Sequence, residues 1–157
     1  MSQHTYTLSV KWTGNKGEGT SHYRAYDRNH TISFAGKPDL LASADPTFRG
    51  DPAKYNPEEL LLAALSGCHM MSFLHVCVNA GVLVTAYEDH ATGSMTVNPD
   101  GSGHFTEVVL NPIVTVTETA MMENINELHA KANQLCFIAN SCNFPIVHKA
   151  IVLIGNG

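Results

Sequence analysis

The stretch from Leu60 to Leu83 decides most of what this chain can become. It is apolar almost throughout, and its interruptions, among them Ser66, Gly67, His69 and His75, are isolated. Helix punctuation frames it. Asn56 suits an N-cap, Pro57 the first helical position, and Glu58 and Glu59 favour the positive end of a helix dipole. Gly81, after Asn79-Ala80, suits a C-cap. Between these signals LLLAALSGCHMMSFLHVCV is apolar on every face, so the helix should be enclosed by protein. Its polar breaks favour a buried helix over a membrane span.

The flanking sequence supplies strands. Residues 4–12 alternate, with Tyr6, Leu8, Val10 and Trp12 on one face. Gly14-Asn-Lys-Gly17 reads as a turn and residues 18–26 as a returning strand. Thr31–Ala35 fits a third short strand. Residues 36–55, with Pro38, Pro46, Gly50 and Pro52, read as a long and therefore functional loop. After the helix come strands at 84–97 and 103–116, joined by the turn Asn98-Pro-Asp-Gly101. A second helix is expected over 118–136, with Met122, Ile125, Leu128, Ala132 and Leu135 on one stripe. Ile146–Ile154 closes the order as a strand. The class is α+β. With no repeat, low-complexity tract or linker, residues 1–157 are expected to form one domain.

Charge narrows the partners. Charged residues are only 15% of the chain, against roughly a quarter in ordinary soluble domains. So little charge on a short chain implies surface hidden in a partner, and the simplest partner is a second copy. A net charge of −5 with nine scattered Lys and Arg leaves no footprint for nucleic acid. The first residues lack a secretory pattern, which points to the cytoplasm, where thiols stay reduced. Four cysteines in that setting are free, catalytic or metal-binding sooner than structural disulfides. No C-x-x-C pair and no H-x-x-x-H occurs, so zinc is disfavoured and no cofactor is expected. Cysteine redox chemistry remains.

Three segments then become specific. Phe48-Arg49-Gly50, Asn56-Pro57-Glu58-Glu59-Leu60 and Ala63-Ala64-Leu65-Ser66-Gly67-Cys68 together resemble the signature of the OsmC/Ohr family of thiol peroxidases. Ala132-Asn-Gln-Leu-Cys136-Phe-Ile-Ala-Asn-Ser141 resembles that family's second-cysteine segment. The resemblance runs along essentially the whole chain. It implies antiparallel sheets wrapped around a long buried central helix, in an intertwined homodimer. It also implies that Cys68 is the peroxidatic nucleophile, Cys136 the resolving cysteine, Glu58 the helix-start carboxylate and Arg49 its arginine. Arg24 and Arg28 are alternatives to Arg49, since some family members supply the arginine from the N-terminal region. The substrate implied is an organic hydroperoxide, and the reductant a dithiol, either a dihydrolipoyl group or a thioredoxin-like protein. Two departures stand out: Phe137 follows Cys136 where proline is common, and Cys142 is an extra cysteine.

The chemistry asks for such a set on its own terms. A thiol of pKa near 8.5 is only about 3% thiolate at pH 7, and only the thiolate attacks. Arginine is the cation that cannot lose its charge, and a carboxylate holds it through a two-point bond. The same guanidinium polarises the peroxide and receives the leaving alkoxide. His69 sits beside Cys68 in sequence, but adjacent helical residues point about 100° apart, so it reads as packing or as a donor behind the site. Cys77 reads as inert core, and Cys142 as a bystander.

Spacing raises one difficulty. Glu58 and Cys68 stand ten residues apart, about 15 Å along a helix axis. Either the helix breaks near Ser66-Gly67, or two helices cross antiparallel in a homodimer and pair Glu58 of one chain with Cys68 of the other. The second is preferred, because this helix is apolar all round. The rival to a peroxidase is a non-enzymatic dimer binding a small apolar ligand, for which a resolving thiol has no use. A cysteine hydrolase lacks a placed histidine base.

Overall fold

The computed structural model describes residues 2–155. The chain resolves into two compact units that divide between Leu61 and Leu62.

The first unit holds a three-stranded antiparallel sheet of β1 (Ser9–Trp12), β2 (His30–Ser33) and β3 (Leu40–Ala42), in that order. The expected strand at 18–26 is absent. Asn15 Oδ1 accepts from the backbone N–H groups of Gly17 and Gly19. The Arg28 guanidinium donates to the carbonyls of Tyr23 and Tyr26 at 2.8 and 2.7 Å. Backbone groups committed to local side chains are lost to a ladder, so β1 pairs instead with β2. The expected loop over 36–55 is also more ordered than its composition implies, since it carries β3 and a 3-10 turn, Pro46–Phe48.

The central helix, α1, spans Pro57–Ala80 without a break, which removes the alternative of an interruption at Ser66-Gly67. Its start is a reciprocal cap: Asn56 Oδ1 accepts from the Glu59 N–H at 2.9 Å, and Glu59 Oε2 accepts from the Asn56 N–H at 3.1 Å. Gly81 ends it in the left-handed conformation, φ 70°, a region open to glycine at no steric cost. Within α1 the buried residues Leu65, His69, Phe73, Val76 and Cys77 recur at helical spacing and form one stripe. Only 28% of its most apolar 18-residue window is buried. Enclosure on every face is thus not achieved within one chain.

The second unit has two three-stranded sheets. One orders β4 (Val84–Asp89), β7 (Pro112–Val116) and β9 (Ile151–Ile154); the other orders β5 (Thr92–Val97), β6 (Gly103–Leu110) and β8 (Ile146–His148). The hairpin pairs are antiparallel, whereas β8 and β9 join in parallel. Each of the two long strands expected after α1 is therefore two strands in different sheets. Asp89 fixes the corner: its Oδ1 accepts from the Asn111 N–H at 2.7 Å, and Asn111 Nδ2 donates to the His90 carbonyl at 2.8 Å. Its Oδ2 accepts from Ser66 Oγ at 2.5 Å, which ties the corner to α1. The second helix, α2 (Ile125–Leu135), starts later than expected, after a 3-10 turn at Thr119–Met122. Its buried residues are Ile125, Leu128, His129 and Ala132, while Leu135 is half exposed. Two buried clusters result, one around Phe73, Val114, Val116 and Leu128, the other around Leu65, Val108, Leu110 and Cys136.

Candidate functional site

Cys68 sits midway along α1 and is partly exposed. Met71, Ser72 and His75 follow at three, four and seven residues, the spacing that puts them on its face of the helix. With Leu135 and Phe137 they line a pocket of about 400 Å³. The lining is mainly apolar, and Phe137 is 79% exposed at its edge.

Behind Cys68 lies Cys136, fully buried. It is the C-cap of α2, where the backbone turns extended at φ −72° and ψ 109°. The chain then doubles back through a 3-10 turn at Ala139–Ser141, and the Ala139 N–H points at the Cys136 sulfur at 3.4 Å. Burial pushes the Cys136 thiol up to about 11, and the neighbouring Cys68 thiol adds to the rise. Both sulfurs are free thiols. The other two cysteines are turned to other partners or none. Cys142 donates to the Ile138 carbonyl at 3.2 Å. Cys77 is buried, and that burial raises its thiol to about 11.

The remaining predicted residues belong to the first unit. Arg49 closes the 3-10 turn in a left-handed conformation, φ 66°, the one non-glycine residue with positive φ among those described. Its side chain is exposed. Gly50 is obligatory beside it, because a Cβ there would fall on the backbone carbonyl of Ala44. Glu58 is partly buried in the first turn of α1. Among the described residues no ion pair joins Arg49 to Glu58. Arg28 is occupied by two backbone carbonyls and by the Tyr26 ring, 4.1 Å from its guanidinium carbon. Arg24 is exposed. The structure thus brings Cys68 and Cys136 together and does not join the arginine and glutamate.

Sequence reasoning also missed a buried histidine group. His69 Nε2 and His129 Nδ1 share a hydrogen bond of 2.9 Å. His148 lies against His69, ring centroids 4.4 Å apart, and Phe73 stacks on His129 at 4.0 Å. Burial, with His148 and His129 alongside, holds His69 down at about 3; burial and His148 hold His129 at about 4. Burial lowers His148 too, while Asp89 opposes the shift. Among the described residues no group of three or more His, Cys, Asp or Glu is arranged to hold a metal ion. The available signal was His129, which falls within the apolar stripe of α2.

The sequence profile of OsmC-like proteins matches residues 50–150. An OsmC-like protein of unknown function from Vibrio cholerae O1 biovar eltor is 34% identical, with a TM-score of 0.83 over 95% of this chain and 100% of that one. An organic hydroperoxide resistance protein OsmC from Legionella pneumophila is 20% identical, TM-score 0.69, over 97% of this chain and 100% of that one. An organic hydroperoxide resistance protein from Elizabethkingia anophelis is likewise 20% identical, TM-score 0.67, covering 98% and 100%. A comparison with curated proteins finds no match. Neighbouring thiols on the long helix α1 and at the C-cap of α2, with Cys68 lining an apolar pocket, define a thiol-bearing α+β protein. The chain belongs to the OsmC-like protein family.

Proposed function

We propose that this protein is a two-cysteine peroxidase for organic hydroperoxides. The observation that carries the reading is the packing of the partly exposed Cys68 against the cluster that buries Cys136, at the wall of an apolar pocket. The similarity in fold to proteins named for organic hydroperoxide resistance adds support.

The Cys68 thiolate attacks the terminal peroxide oxygen. An S–O bond forms, the O–O bond breaks, and the alkoxide leaves and takes up a proton to become the alcohol. Cys68 is left as sulfenic acid. The Cys136 sulfur attacks the Cys68 sulfur, the disulfide forms, and the hydroxyl leaves as water with the Cys136 thiol proton. A dithiol donor, a dihydrolipoyl group or a thioredoxin-like protein, reduces the disulfide. The two thiols divide the work by environment. The accessible one meets the peroxide, and the buried one, held as a thiol, resists oxidation until its neighbour has reacted.

Arg49 is the proposed cation of the site and Glu58 its anchor, both acting across the interface of a homodimer in the cytoplasm. Bare apolar surface on α1 favours that interface. The deciding experiment follows loss of cumene hydroperoxide with dihydrolipoamide or thioredoxin as donor. Wild type should consume the peroxide and Cys68→Ser should not. Equal rates would reject the reading, and saturable binding without turnover would leave a binding protein for small apolar molecules.

A further inference from the structure

A disulfide tolerates little error. The sulfurs must come to about 2.05 Å, with Cα atoms no more than about 7 Å apart. Here the two cysteines ride on different elements, Cys68 on α1 and Cys136 at the end of α2. Apolar packing between two helices is not directional, and a slide of one turn, about 5.4 Å, would part the sulfurs. A directional contact is needed to fix the register.

His69 and His129 supply it. His69 follows Cys68 directly, and its buried ring meets His129 of α2 at 2.9 Å. Among the described residues no other hydrogen bond joins a side chain of α1 to one of α2. The remaining ring nitrogens, His69 Nδ1 and His129 Nε2, are buried without a partner. Each ring therefore spends its directional contact on the other helix. Phe73 on one side and His148 on the other hold the rings in place. We infer that the His69–His129 hydrogen bond positions Cys136 for closure of the disulfide on Cys68, within the peroxidase reading above. These are positioning residues, since neither is required to touch the peroxide.

The test separates the two chemical steps and adds a readout that needs no peroxide. In His129→Leu, which removes the bond, sulfenic acid should form on Cys68 at an unchanged rate. Closure should slow about tenfold, the scale of one lost hydrogen bond, with sulfinic acid accumulating. The Cys68–Cys136 equilibrium against dithiothreitol should move toward the dithiol by a similar factor. His129→Asn, which keeps an amide group near the Nδ1 position, should recover most of both. Wild-type closure in a folded His129→Leu protein overturns the inference, as does a defect that His129→Asn fails to rescue. If His129→Leu does not fold, His69→Leu against His69→Gln makes the same comparison. A wild type that reduces no peroxide defeats the peroxidase reading alone, because the dithiothreitol equilibrium still decides the positioning role.

Discussion

Cys136 is fully buried in the cluster against which Cys68 packs, and of the two only Cys68 faces the pocket. One equivalent of organic hydroperoxide should therefore produce a Cys68–Cys136 disulfide, with Cys77 and Cys142 still reduced. Peptide mapping reads this directly, and a Cys68–Cys142 link would reassign the resolving role. Cys136→Ser should turn over once and then accumulate sulfenic and sulfinic acid. Normal cycling by that variant would exclude a two-cysteine mechanism.

Arg49→Ala should slow peroxide reduction by about 10²-fold, the cost of removing one electrostatic stabiliser of developing charge. Arg49→Lys should rescue little, because an ammonium cannot make the forked contact with a carboxylate. Stopped-flow reduction of the peroxide measures both. Wild-type rates in Arg49→Ala would move the role to Arg24 before Arg28, whose guanidinium is already held by Tyr23 and Tyr26.

The unbroken α1 sharpens the problem of Glu58, ten residues from Cys68 on one helix. A site assembled from two chains predicts complementation. Glu58→Ala and Cys68→Ser protomers, each inactive alone, should regain activity when mixed, in one of the two sites of the heterodimer. Verified heterodimers without recovery would place the site within a single chain.

Acid should unfold this protein early. His69 and His129 hold pKa values of about 3 and about 4 in the fold, against 6.5 when free. Below 6.5 the unfolded chain binds protons that the folded one refuses, so stability is full above that pH and declines toward 3. The groups facing the pair do not reverse the sign: burial also lowers His148, although Asp89 opposes that shift, and Tyr87, which packs against Phe73, is raised. Melting temperature measured from about pH 7 to about pH 5 should fall in wild type and less in His129→Leu. Parallel profiles for the two proteins would show that the histidine pair does not set the slope.

Much of this molecule was legible because its signals were local. Asn56, Pro57 and Gly81 bounded α1 to the residue, and Cys68 and Cys136, flagged by their surrounding motifs, turned out adjacent. What escaped depended on partners remote in sequence. Val108, Leu110, Pro112, Val114 and Val116 are all buried, so alternation runs on unbroken across Asn111 and reads as one strand. The exchange of one sheet for another changes hydrogen-bond partners without changing the pattern of burial. The false strand at 18–26 failed for a related reason: Asn15 and Arg28 claim backbone groups that no periodicity count takes into account. His129 and His148 looked like isolated polar residues until the fold set them against His69.

An apolar helix with so few of its residues fully buried leaves part of the folding free energy outside the single chain. In the homodimer proposed above, the partner over α1 would contribute that remainder, and its contribution would grow with the logarithm of concentration. Dilution would then act as a mild denaturant, and a melting temperature for this protein would have meaning only beside the concentration at which it was taken.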